Sequence, residues 1–193
     1  MSTTNVLERM VRAVEKVRAR LLRAAKALDT AGVPYAVIGG QAVAAWVATV
    51  DEAAVRNTRD VDILLDRRDF APARLALERA GLVHRHEAGM DLFLDGPEAS
   101  ARDAVHVIFA GEKVRPEYDA AAPQPAESER IQGGVRVLGL GALLRMKLTS
   151  FRRKDQVHLL DLIEVGLAGE RDLAALPPPL AARLKELLEN PDS

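Results

Sequence analysis

Apolar residues recur every three or four positions at the start of the chain: Val6, Met10, Val14, Val17, Leu21, Ala25 and Leu28, with basic residues on the other faces. That period predicts one helix over residues 4–30, packed on the domain rather than extended as a coiled-coil dimer arm. Gly32 stops it, and Pro34 opens a short apolar strand, Tyr35 to Ile38. The strand runs into Gly39-Gly40 and an uncharged helix carrying Val43, Ala44, Trp46 and Val47. After a loop over 49–57, strict alternation returns: Val61, Ile63 and Leu65 share one strand face, and Asp60, Asp62 and Leu64 share the other. This suits a sheet covered by helices on one side and opening to a cleft on the other.

Further along, Asp69 reads as the cap of a helix from Phe70 to Ala80, ended by Gly81. Leu82 to His86 and Met90 to Leu94 read as paired strands joined by Glu87-Ala88-Gly89, before a turn at Asp95-Gly96-Pro97. Val105 to Phe109 is a third apolar strand. Residues 111–136, with Pro116, Pro123, Pro125 and Gly133-Gly134, read as a long surface loop with one strand at Val135 to Leu138. The final third is helical: Leu140 to Phe151, a continuation to Gly166, and a tail from Pro179 to Glu189 set apart by Pro177–Pro179 and dispensable for chemistry. The expected division is an N-terminal helix over 1–32, a core over 33–138 and a helical region over 139–193. The class is α/β (α+β).

Bulk properties narrow the partners. A chain of 193 residues is one domain, or one with a small appendage, and can bury a full core. Lys and Arg total 27 against 28 Asp and Glu, so overall charge gives no reason to expect binding to nucleic acid or a membrane surface. The absence of cysteine excludes disulfides, cysteine-ligated zinc and thiol catalysis. The polar start MSTTNVLERM has no apolar signal core, which leads to the expectation of a cytoplasmic protein. Between Asp29 and Asp51 no residue is charged, a span long enough for a bilayer, yet Pro34 and Gly39-Gly40 interrupt it and much of it is alanine. A strand, a turn and a buried helix account for it without a membrane.

Two constellations carry chemistry. A glycine pair opening a helix can cradle phosphate, because the backbone approaches closely and the first-turn N–H groups attract anions. Asp60 and Asp62 point the same way, about 7 Å apart along a strand. Such a pair repels itself unless a cation sits between, and oxygen ligands suit Mg²⁺. Downstream, Lys147, Lys154, His158 and Asp161 stand at spacings of 7, 4 and 3, one face of a continuous helix. That face could hold phosphates, or simply be solvated and laced with ion pairs. His84 and His86 share a strand face but have no third ligand nearby, so they read as surface residues.

In this order, Gly39-Gly40 after a strand, a short helix and then Thr58-Arg59-Asp60-Val61-Asp62 resemble the DNA polymerase β-like nucleotidyltransferase superfamily. The likeness is strongest to small bacterial members, the minimal nucleotidyltransferases and the abortive-infection toxins. Met146-Lys147-Leu148, the run Arg152, Lys154, Asp155, and the later Asp161-Leu162 are similar to the third and fourth motifs of the latter group, so the match spans residues 35–165. The resemblance implies a mixed sheet flanked by helices, a bound NTP, Mg²⁺ (or Mn²⁺) held by Asp60 and Asp62, and transfer of a nucleotidyl group. It also implies phosphate binding by Gly39, Gly40, Gln41, Lys147, Arg152 and Lys154, with Asp155 supporting acceptor activation. The acceptor would be a tRNA end, a protein hydroxyl or a small molecule such as an aminoglycoside. An antitoxin protein fits this resemblance as a partner; a second copy of the chain is a separate candidate partner.

This chain departs from the family pattern twice. The neighbouring strand usually contributes a third carboxylate, a place that falls here on His106; Asp103 is three residues earlier and faces away in a regular strand. His106 can ligate a metal, act as a base or fill space. Gln41 and Ala42 follow the glycines where a serine or threonine is common. The alternative is therefore a fold of this type that has lost catalysis and binds nucleotide as a regulatory module.

Overall fold

The computed structural model describes residues 5–100, 103–131 and 133–190. Helix α1 (Val6–Thr30) starts where the Asn5 side chain accepts from the Leu7 N–H at 3.2 Å; position 4 lies outside the described residues. Its apolar stripe buries Val17, Ala24, Ala25 and Leu28 in the core. Strand β1 (Ala36–Ile38) leads directly into α2 (Gly39–Val47), and β2 spans Val61–Leu65. The uncharged stretch is thus a strand and a short helix, and no helix among the described residues is long and apolar enough to cross a membrane. Trp46 fixes α2 against the sheet by donating its indole N–H to the Leu138 carbonyl at 2.9 Å.

Helix α3 (Phe70–Arg79) is preceded by a 3₁₀ turn over Arg67–Asp69. Capping falls one turn earlier than the sequence predicts: the Asp66 side chain accepts from the Arg68 N–H, while Asp69 makes no cap bond. Strands β3 (Val83–Glu87) and β4 (Met90–Leu94) form a hairpin whose tip places Ala88 and Gly89 at φ of 50° and 77°. Two consecutive positive φ values match the right-handed twist of the flanking strands. Strand β5 (Ala104–Phe109) follows.

Residues 111–136 hold more structure than a loop: a 3₁₀ turn at Pro125–Glu127 and an edge strand β6 (Ser128–Arg130), which pairs with β7 (Arg136–Leu138). Among the described residues the sheet has seven strands in the order β3-β4-β5-β2-β1-β7-β6. β2 runs antiparallel to β1 and parallel to β5, so the sheet is mixed, as expected. In this register Asp62 lies opposite Ile38 on one side and His106 on the other.

The helical final third is not one continuous face. Helix α4 (Leu140–Ser150) ends at Phe151, whose φ of 43° and ψ of 29° are left-handed, and α5 (Arg153–Glu164) sets off anew. A bulky residue rarely takes that conformation, and no glycine or proline announces the break. Nor is the tail detached. Helix α6 (Pro178–Glu189) buries Leu180, Leu184 and Leu187 in the main core, and Arg183 donates to the carbonyls of Leu148 and Thr149 at 2.6 and 3.0 Å.

Candidate active site

The site begins at the β1–α2 turn. Gly39 has φ of +70°, and a Cβ there would lie 2.1 Å from Asp62 Oδ2. Only glycine satisfies both the backbone and the neighbouring carboxylate. A Cβ on Gly40 would meet Thr58 Oγ1 at 2.9 Å, and Gln41 Nε2 donates to the Thr58 carbonyl at 3.0 Å. The glycine pair therefore serves the aspartate segment as much as any ligand. No side chain caps α2 at Ile38, which leaves its first-turn N–H groups available beside the cleft that Gly39 and Gly40 line.

Asp60 and Asp62 both line this cleft. Asp60 Oδ2 faces Lys154 Nζ at 3.5 Å, and Asp62 Oδ1 faces His106 Nδ1 at 3.5 Å. The expectation that His106 stands beside the Asp pair on the neighbouring strand is thus met by geometry. Asp103 goes elsewhere, toward Arg20 at 3.7 Å.

Behind the carboxylates lies a buried network. Lys147 is 5% exposed and Asp155 0%. Lys147 Nζ donates to Asp155 Oδ1 at 2.8 Å, while Arg152 Nε and Ser150 Oγ donate to Asp155 Oδ2 at 2.7 and 2.9 Å. Burial alone would raise the Asp155 carboxyl, but the bond from Arg152 and the charge and bond of Lys147 outweigh it and hold it down to about 2. Burial lowers Lys147 from its ordinary value, with Asp155 opposing the shift. At neutral pH the two form an ion pair. His158 is pushed down to about 4 by burial and by the charge of Lys147, so it is neutral. His158 Nδ1 lies 3.0 Å from Lys147 Nζ, and toward an ammonium that ring nitrogen is the acceptor.

The break at Phe151 rearranges the face predicted for a single helix. Lys147 and His158 meet, Lys154 turns to Asp60, and Asp161 takes Arg56 in a two-pronged pair at 3.1 and 3.0 Å. That last contact ties the loop leading to Asp60 onto α5. Asp161 is not among the residues that line the cleft and is held by Arg56.

The cleft between these elements holds about 830 Å³. Its outer wall comes from the 111–124 segment, which sequence periodicity left blank. Arg115 and Tyr118 project from it, and the Tyr118 hydroxyl is buried without a hydrogen-bond partner among the described residues. Away from the cleft, His84 Nε2 and His86 Nδ1 both approach Asp91 Oδ1, at 2.8 and 3.1 Å. The two histidines thus share a carboxylate across the hairpin. Among the described residues no group of three or more His, Asp or Glu is arranged to hold a metal.

No family model and no curated protein matches the chain in sequence. Solved structures do match in shape. The solution structure of the antibiotic-resistance factor ANT(2'')-Ia superposes with a TM-score of 0.57 at 16% identity, over 89% of this chain and 95% of that one. A crystal structure of ANT(2'')-Ia in complex with adenylyl-2''-tobramycin gives 0.56 at 18% identity, over 85% and 94%. JHP933 from Helicobacter pylori gives 0.51 at 15% identity, over 93% and 75%. The fold is of the nucleotidyltransferase type. It has the mixed sheet and flanking helices that the sequence led us to expect.

Proposed function

We propose that this chain is a metal-dependent nucleotidyltransferase that transfers a nucleotide monophosphate from an NTP to an acceptor hydroxyl. One observation carries the reading: the Asp60–Asp62 pair opens into the cleft directly beside the helix-opening glycine turn, with Asp62 packed where a Gly39 side chain would be.

The donor chemistry suits the implied metal. Mg²⁺ takes one or two protein carboxylates and completes its octahedron with water and substrate phosphates, so a trio of protein ligands is not required. Asp60 and Asp62 would hold Mg²⁺ or Mn²⁺, with His106 in the third position. When bound, such an ion neutralises triphosphate charge and lowers the pKa of a coordinated hydroxyl. The backbone at Gly39, Gly40 and Gln41 offers N–H groups to the phosphates. Lys147, Arg152 and Lys154 add positive charge, the main protein contribution to phosphoryl-type chemistry. Asp155 is fully buried at the cleft wall with both oxygens engaged, and acts as a positioning residue, fixing Lys147 and Arg152. RNA, protein and small-molecule hydroxyls are the acceptor classes, and a toxin restrained by an antitoxin is the cellular role that the sequence resemblance favours.

A second reading, a nucleotide-binding module without turnover, is favoured by His106 standing where a third carboxylate belongs. Incubation with each α-labelled NTP, Mg²⁺ or Mn²⁺ and total tRNA or cell lysate separates the two. Label transfer lost in Asp60→Ala/Asp62→Ala supports the enzyme. Metal-dependent NTP binding without transfer supports the module.

A further inference from the structure

The charges lining the cleft bear on the acceptor, provided the site handles a nucleotide as proposed above. Among the described residues six cationic side chains and four carboxylates line it, a surplus of two positive charges. Three of the cations and two of the carboxylates are already committed to one another. Asp155 takes Lys147 and Arg152, and Glu127 takes Arg145 at 2.8 Å. The other two carboxylates, Asp60 and Asp62, are the candidate metal pair. No carboxylate among the described residues of the cleft is left over.

Arg59 has no ion-pair partner among the described residues. Arg115 has only Glu117, at 3.7 Å, with both side chains more than half exposed. Such a pair is screened and weak. An NTP carries about four negative charges, so with one or two divalent ions the loaded cleft is neutral or still positive, never negative.

We propose that the acceptor is an anionic, phosphate-bearing hydroxyl compound and that Arg115 is a specificity-determining residue for it. An amine-rich acceptor of the tobramycin type needs carboxylates to replace the water around its ammonium groups, and this cleft offers none beyond the metal pair. A guanidinium on the outer wall suits the opposite charge, since its fork matches two phosphate oxygens. The chain thus shares a fold with ANT(2'')-Ia while its cleft selects against a tobramycin-type ligand such as the one in that crystal structure.

Direct binding tests this, with tobramycin and a short oligoribonucleotide as probes. Each is titrated into full-length protein carrying Mg²⁺ and a non-hydrolysable NTP analogue, at two salt concentrations. The oligoribonucleotide is expected to bind, to weaken with salt, and to lose about tenfold in affinity in Arg115→Glu but not in Arg115→Lys. Tobramycin is expected to bind no tighter than about 1 mM and to gain affinity in Arg115→Glu. Tighter binding of tobramycin than of the oligoribonucleotide overturns the proposal, as does oligoribonucleotide binding that is absent or indifferent to Arg115→Glu. Analogue affinity is measured separately beforehand. Its absence counts against the nucleotidyltransferase reading alone, and the two probes are then compared on the unloaded protein.

Discussion

Gly39, the first residue of α2, stands so close to Asp62 on β2 that a Cβ on the first would sit 2.1 Å from Oδ2 of the second. The turn that aims α2 at the cleft and the strand that carries the carboxylates are therefore one unit. Gly39→Ala strains a left-handed backbone and drives Asp62 from its place. It should cost about 1–3 kcal/mol of stability and abolish Mg²⁺-dependent NTP binding. Chemical denaturation and calorimetric titration read these separately, and intact binding would refute the coupling.

Asp155 gives a pH signature. Its folded pKa, about 2, lies below the ordinary carboxylate value of 3.8. A depressed carboxylate contributes stability that is full above the unfolded value and is lost as pH falls through the folded one. Acid titration should show this loss between about pH 4 and pH 2, with Asp155→Asn lacking it. At neutral pH that variant leaves a buried lysine without its counter-charge and should lose about 3–5 kcal/mol.

His158 acts in a higher window. Its folded pKa of about 4 lies under the ordinary 6.5, so protonation favours the unfolded chain. Stability should decline as pH drops from 6.5 toward 4. His158→Gln should remove that slope while leaving the lower, Asp155-dependent one. A slope unchanged in the variant would reject the assignment.

His106 faces Asp62 at 3.5 Å from the position where the family pattern has a carboxylate. If His106 completes the metal shell, His106→Asp keeps or raises label transfer and tightens Mg²⁺ dependence. Loss of folded structure by circular dichroism would mark it instead as a packing residue.

Tyr118 presents a buried hydroxyl that no described residue satisfies. Removing an unpaired buried polar group should stabilise, so Tyr118→Phe is expected to gain up to about 1 kcal/mol in denaturant unfolding. A loss of that size would reveal a partner that the hydroxyl cannot do without.

What was legible in the sequence is what local periodicity encodes. The alternation over Val61–Leu65 put Asp60 and Asp62 on the cleft side, and the parallel register with β5 then brought His106 beside Asp62. The break at Phe151 was not legible: the left-handed residue there is neither glycine nor asparagine, and the polar run 152–156 that follows holds no glycine or proline. Around the turn Asp155 gathers Lys147, Ser150 and Arg152, a local cluster of polar side chains that hydrophobic periodicity does not register. Strand β6 escaped because three residues, two of them charged, show no alternation. The hairpin histidines looked solvated because their shared partner, Asp91, sits on the opposite strand.

Trp46 is the only tryptophan in the chain. Its indole hydrogen bond to Leu138 joins the helix that starts at the glycine turn to a strand on the far side of β1. The molecule therefore carries its own optical reporter. Shifts in tryptophan emission will register any movement of that helix against the sheet, without a label and without knowledge of the acceptor.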